Sequence, residues 1–148
     1  MSVKTRLKDD MKQAMRSGDK ARLGTVRMAL AAIQQREVDE RIELDDAAVL
    51  GVIEKMIKQR RESVEQYRAG KRDDLADKEA AEIEVLSSYL PEPLDAAELA
   101  AMVDAAIAAT GAASMKDMGR VMAELRAQAQ GRADMAVLSA TVKAKLAG

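Results

Sequence analysis

LSSYLPEPLDAAELAAMVDAAI, residues 86–107, decides the fold. Leu75, Ile83, Leu86 and Leu90 mark a helix that leads into it. Pro91 and Pro93, the only two prolines of the chain, then interrupt the pattern. Proline disfavours helix at the residue before it and stiffens the segment that follows. Asp95 with Glu98 has the spacing of a capping box. The helical period resumes through Leu99, Met102, Val103 and Ile107, with a stop at Gly111. The stretch reads as helix, break, helix, and the break is where one small core ends and another begins.

Outward from that break every long segment shows a 3.6-residue period and none shows sustained alternation. Leu7, Met11, Ala14 and Met15 share one face of a first helix, which Gly18 ends. Leu23, Val26, Leu30 and Ile33 mark a second, starting near Asp19. The charged residues from Glu37 to Glu43 close it. Asp45 is the expected N-cap of a third helix, with Val49, Ile53, Met56, Ile57 and Val64 inward and Gly70 as its stop. Beyond Gly111, Ser114 with Asp117 opens a helix through Met118, Val121, Met122 and Leu125, ended by Gly131. Asp134 caps the last, with Met135, Leu138, Val142 and Leu146 inward. The expected fold is all-α: a four-helix part over residues 1–91 and a three-helix bundle over residues 92–148.

Composition removes several classes of function. The chain of 148 residues has no Cys and no His. Disulfides, thiol nucleophiles, Ser-His and Cys-His catalysis and the usual zinc sites are excluded. With no Trp, no Phe and two Tyr, stacking platforms for single-stranded nucleic acid are absent. There is no GxxxxGK nucleotide loop. No cofactor and no metal are expected. No apolar run is long enough to span a bilayer, so no membrane partner is expected. The charged opening MSVKTRLKDDMKQ lacks the h-region of a secretion signal, so the expected location is cytoplasmic.

The net charge of −1 gives no global attraction to nucleic acid. The second half, however, is polarised. Residues 91–115 hold Glu92, Asp95, Glu98 and Asp104 without a Lys or Arg, and residues 116–148 hold six cations against three carboxylates. The stretch MGRVMAELRAQAQGRAD, residues 118–134, lies inside the basic part. Gly119 sits early in its helix, where glycine costs about 1 kcal/mol relative to alanine. Either tight packing or close approach of another molecule accounts for it. Helix starts near Lys116 and Asp134 offer free N–H groups and a positive dipole end, and Arg132 can fork onto a phosphate from the loop. The candidate RNA-binding residues are Lys116, Gly119, Arg120, Arg126, Gly131 and Arg132. A second cluster, Lys55, Lys58, Arg60, Arg61, Arg68, Lys71 and Arg72, reads chiefly as a solvated helix face with i,i+4 pairing. Asp73, Asp74, Asp77, Glu82 and Glu84 read as surface solvation rather than as acid–base or metal chemistry.

Asp117-Met118-Gly119-Arg120-Val121-Met122 and Gly131-Arg132-Ala133-Asp134 resemble the signature of the GatB/YqeY family. So do Asp10-Met11-Lys12-Gln13-Ala14-Met15, Arg27-Met28 and Tyr89-Leu90-Pro91. The resemblance covers essentially the whole chain and is strongest to the stand-alone YqeY-like proteins. It implies a four-helix part and a three-helix part. The latter is similar to the tail of the B subunit of glutamine-dependent Asp-tRNA/Glu-tRNA amidotransferase, which helps hold the tRNA away from the chemistry. Asp134 stands where that tail often has Asn. The ATP-using cradle and the amidase subunit of that carbon–nitrogen ligase have no counterpart here, and the chain has no catalytic residue to offer.

Three functions are expected from this: non-catalytic binding of tRNA or other structured RNA, action as an accessory to amidotransferase subunits, or a protein-interaction module. In the last, the acidic helix from Asp95 to Thr110 and the basic segment after it pack on each other or on a partner.

Overall fold

The computed structural model describes residues 2–147. Its helices are α1 (Val3–Ser17), α2 (Lys20–Glu40), α3 (Asp46–Ala69), α4 (Asp73–Ser87), α5 (Ala96–Thr110), α6 (Met118–Ala129) and α7 (Met135–Ala147), with a 3-10 turn at Met115–Asp117 leading into α6. No strand occurs among the described residues, so the all-α expectation is met. Contacts group the chain into two compact units, Met1–Leu90 and Pro91–Gly148.

In the first unit, short polar side chains start the helices. The hydroxyl of Ser2 accepts from the Thr5 N–H at 3.1 Å. Asp19 accepts from Arg22 N–H at 3.1 Å and Asp45 from Ala48 N–H at 2.9 Å. Such caps are worth about 1 kcal/mol each. Gly18, at φ 72, takes the left-handed turn that folds α2 back along α1. Leu7, Val26, Ile33, Val49, Ile53, Ile57 and Leu86 fill the core. Met15 does not join them: it is 54% exposed, against the expectation that it lies inward with Leu7, Met11 and Ala14. Ala14, two turns on from Leu7, stays on the core side, while the next residue turns about 100° away.

Polar ties hold the same helices together. Lys4 Nζ lies 2.5 Å from Glu37 Oε2, and the same carboxylate accepts from Leu44 N–H at 2.8 Å. Tyr89, buried at the end of the unit, donates its hydroxyl proton to Asp10 Oδ2 at 2.5 Å. Arg22 stands 3.5 Å from that oxygen, and the Arg6 guanidinium lies 5.2 Å over the Tyr89 ring. Burial first, and then the Asp10 carboxylate, push the Tyr89 hydroxyl up to about 12.

In the second unit α5, α6 and α7 enclose Leu99, Val103, Val121, Leu125, Leu138 and Val142. Asp95 caps α5, accepting from Glu98 N–H at 2.7 Å, and Gly111 ends it at φ 66. Ser114 and Asp117 were expected to open the next helix directly. A 3-10 turn stands there instead, and α6 begins at Met118. The turn after α6 is tied to the segment before α5, because Leu94 N–H donates to the Arg132 carbonyl at 2.9 Å.

Candidate nucleic-acid interface

The heptad-like spacing of α6 gives it two unlike sides. Val121, Leu125 and Ala129 are buried. Gly119, Ala123, Arg126 and Ala127 recur four, seven and eight residues apart, which places them on one flank, and all are exposed. That flank has almost no side-chain bulk between its ends. A Cβ placed on Gly119 meets nothing within 4 Å. Tight packing therefore does not explain this glycine, and the helix backbone there stands open to solvent.

The cations around the flank differ in their engagement. Lys116 and Arg126 are exposed, and neither side chain has a hydrogen bond or ion pair among the described residues. The distance between them along the axis is about 15 Å, or ten residues. Arg120 is 62% exposed at the side chain and pairs with Asp117; it also donates to the Thr110 carbonyl at 3.4 Å. Asp117 in turn accepts from the N–H groups of Ala113 at 2.9 Å and Ser114 at 3.2 Å. The Ala113 N–H, then Arg120, hold its carboxyl below the usual carboxylate range.

The two remaining candidates serve the unit itself. Gly131 is buried at φ 80, a conformation that favours glycine. Arg132 was expected to reach outward from its loop. Instead its Nε donates to the Glu92 carbonyl at 3.0 Å, and its Nη2 lies 3.8 Å from Glu98 Oε2. The helix starts carry their own anions as well. Asp134 accepts from Ala136 N–H at 2.7 Å at the start of α7, and Asp117 puts its negative charge beside the start of α6, although its carboxylate bonds back to Ala113 and Ser114 and makes no cap bond to that helix. The structure thus brings together Lys116, Gly119, Arg120 and Arg126 and sets Gly131 and Arg132 apart as structural residues.

The acidic and basic parts of this unit also pair with each other. Lys145 Nζ lies 2.8 Å from Asp104 Oδ1, alongside the Arg132–Glu98 contact. Lys143 is exposed and unpaired among the described residues. Ala123 and Ala127 were not singled out from the sequence. Their four- and eight-residue steps from Gly119 were the available signal.

In the first unit three of the seven cations of the cluster on and after α3 are paired, while Lys55, Lys58, Arg61 and Lys71 are exposed without an ion pair among the described residues. Arg60 Nε is 2.9 Å from Glu82 Oε2 and both side chains are mostly buried. Arg68 Nη2 is 3.1 Å from Asp77, and Arg72 Nη2 is 3.1 Å from Asp74. Glu82 and Asp77 of α4 are thus partners of α3, Asp74 pairs with Arg72 at the start of its own helix, and no group of three acidic residues close enough to hold a metal occurs among the described residues.

Residues 4–146 match the family model described as Yqey-like protein. Curated relatives include altered inheritance of mitochondria protein 41, mitochondrial, of Candida glabrata, 38% identical over 95 residues that are 62% of this chain and 52% of that protein. The protein of the same name from Pyrenophora tritici-repentis is 33% identical over 133 residues, 88% of this chain and 73% of its own length. That of Saccharomyces cerevisiae is 32% identical over 87 residues, 58% of this chain and 47% of its own. The chain spans about half the length of several of the curated relatives it matches. These names correct the expected cytoplasmic location, since the relatives are mitochondrial proteins. That expectation rested on the absence of a leader and of an apolar run, and an absence carries no address. The match over nearly the full sequence settles the lineage: the chain belongs to the YqeY-like family.

Proposed function

We propose that this protein binds structured RNA, of the tRNA kind, through phosphate contacts along the exposed flank of α6, and performs no bond chemistry of its own. The observation that carries the reading is the open site at Gly119 between two unpaired cations, Lys116 and Arg126. A glycine in a helix costs stability, and no neighbour in the unit needs the missing Cβ. A phosphate backbone laid along Gly119, Ala123 and Ala127 makes use of it. Arg120 joins as the rim, and Asp117 holds it in place. Recognition is by shape and backbone, because the chain lacks aromatic stacking residues. The resemblance of the second unit to an amidotransferase tail supports tRNA as the RNA. The absence of Cys and His supports a binding role over catalysis.

Equilibrium titration of the full chain with tRNA tests this. Lys116→Gln with Arg126→Gln weakens binding about tenfold or more, at roughly 1 kcal/mol or so per charge-assisted contact. Gly119→Gln weakens it too, while leaving the thermal transition at or above the parent's. Absence of binding at low salt, or binding unchanged in these variants, overturns the reading.

A further inference from the structure

We infer that the α1–α2 hairpin carries a separate cationic face that takes the phosphate backbone of an RNA duplex. Lys8, Lys12 and Arg16 follow Lys4 at four-residue steps, so they line one side of α1 at intervals of about 6 Å, close to the spacing of successive phosphates on an RNA strand. Lys4 shows which side this is, because it meets Glu37 of α2 at 2.5 Å. The other edge of the hairpin is where Asp10 meets Arg22. Lys8 also acts on Glu37: after the Lys4 ammonium and the Leu44 N–H, its charge helps hold that carboxyl below the ordinary range. Along α2, the row Gln34, Ala31, Arg27, Gly24 and Lys20 runs back from beside Glu37 in three- and four-residue steps, all exposed.

The two rows together present Lys8, Lys12, Arg16, Lys20 and Arg27. None of the five has an ion-pair partner among the described residues. Of the carboxylates beside them, Asp19 is engaged as the N-cap of α2, and exposed Asp9, three residues before Lys12, offsets part of the charge of the α1 row. The face has a low floor as well as charge. A Cβ on Gly24 meets nothing within 4 Å, and Ala31 follows seven residues on. Charge complementarity and the regular step select a polyanion with fixed phosphate spacing. An anionic membrane fits less well, because the exposed large apolar side chains of the hairpin, Met15, Met28 and Val38, are scattered along it, whereas interfacial helices bury a broad continuous apolar side. The inference does not rest on the α6 flank, since every residue named belongs to the first unit.

The test is fluorescence anisotropy of a labelled RNA duplex with the full chain over a range of salt. Glutamine keeps helix propensity, so Lys8→Gln, Lys12→Gln and Arg16→Gln together keep the cooperative fold, with only a small drop in the melting temperature from the charge lost beside Glu37 and at the end of α1. They are expected to weaken RNA binding by tenfold or more and to reduce the steepness of the log–log salt dependence by about 2 to 3. Gly24→Gln, whose Cβ meets nothing within 4 Å, weakens binding with all charges intact. If Lys116→Gln with Arg126→Gln abolishes binding while the triple variant binds as the parent does, this inference falls and the α6 reading stands; the converse result leaves this one alone standing. A DNA duplex bound at least as tightly overturns the RNA assignment. Triple-variant-sensitive binding to phosphatidylcholine–phosphatidylserine vesicles without binding to the RNA duplex overturns it in favour of a membrane.

Discussion

Replacing Gly119 with alanine tests whether the flank of α6 is as open as its geometry states. Glycine inside a helix is less stable than alanine by about 0.5–1 kcal/mol, because it loses more freedom on folding. Gly119 lies in the first turn of α6, so the lower end of that range applies. The backbone there is not among the positive-φ positions, and an added Cβ meets nothing within 4 Å. No steric term opposes the gain. The variant is therefore expected to stabilise its unit by about 0.5 kcal/mol. For a unit of this size that raises the transition by about 2–4 °C. Gly131→Ala is the matched control. It forces a Cβ into a buried left-handed position at φ 80, at a cost of about 1–2 kcal/mol. Circular dichroism melting and urea titration read both variants. A loss of stability in Gly119→Ala would refute the reasoning, because the backbone at 119 would then be packed against its own unit and the flank would be closed.

Three further outcomes follow from single contacts. Tyr89→Phe removes the donor to Asp10 and costs about 1–2 kcal/mol at neutral pH, read by urea unfolding. The folded value of this tyrosine is raised to about 12, so its contribution is complete below the unfolded value of about 10 and is lost as pH rises to the folded one; the Tyr89→Phe variant lacks that part of the alkaline loss. Arg132→Ala releases the Glu92 carbonyl and Glu98, lowering stability of the second unit by about 1 kcal/mol in urea titration. Asp117 sits below the usual carboxylate range, so its contribution is present above the ordinary value and lost as pH falls through the folded one; Asp117→Asn shows a flatter acid limb in pH-dependent melting.

Most helix boundaries were legible because their signals are local. Asp19, Asp45, Asp95, Gly18 and Gly111 each act on residues within a turn of themselves, and each caps or ends the helix expected of it. Local spacing was less reliable at the margins. Met15 sits one position beyond the core stripe and faces solvent, and the capping pair Ser114–Asp117 starts a 3-10 turn before α6 begins. The candidate site was legible as a basic, glycine-bearing segment, but not residue by residue. Whether Gly119 is packed or open depends on what surrounds it in space, which periodicity does not record. Arg132 is held by a carbonyl 40 residues away in sequence, a partner that no spacing rule within its own loop would name. The pairing of α3 cations with α4 carboxylates likewise joins residues 22 apart at Arg60 and Glu82.

The central claim is that Lys116 and Arg126, on either side of an open Gly119, contact RNA phosphates. The salt dependence of tRNA affinity tests it most directly. Each phosphate neutralised contributes about 0.7–0.9 to the magnitude of the log–log slope. Removing both charges, as Lys116→Gln with Arg126→Gln, should make the slope shallower by about 1.5 and weaken binding most at low salt. An unchanged slope in the double variant, with tRNA still bound as tightly as by the parent chain, would contradict the account.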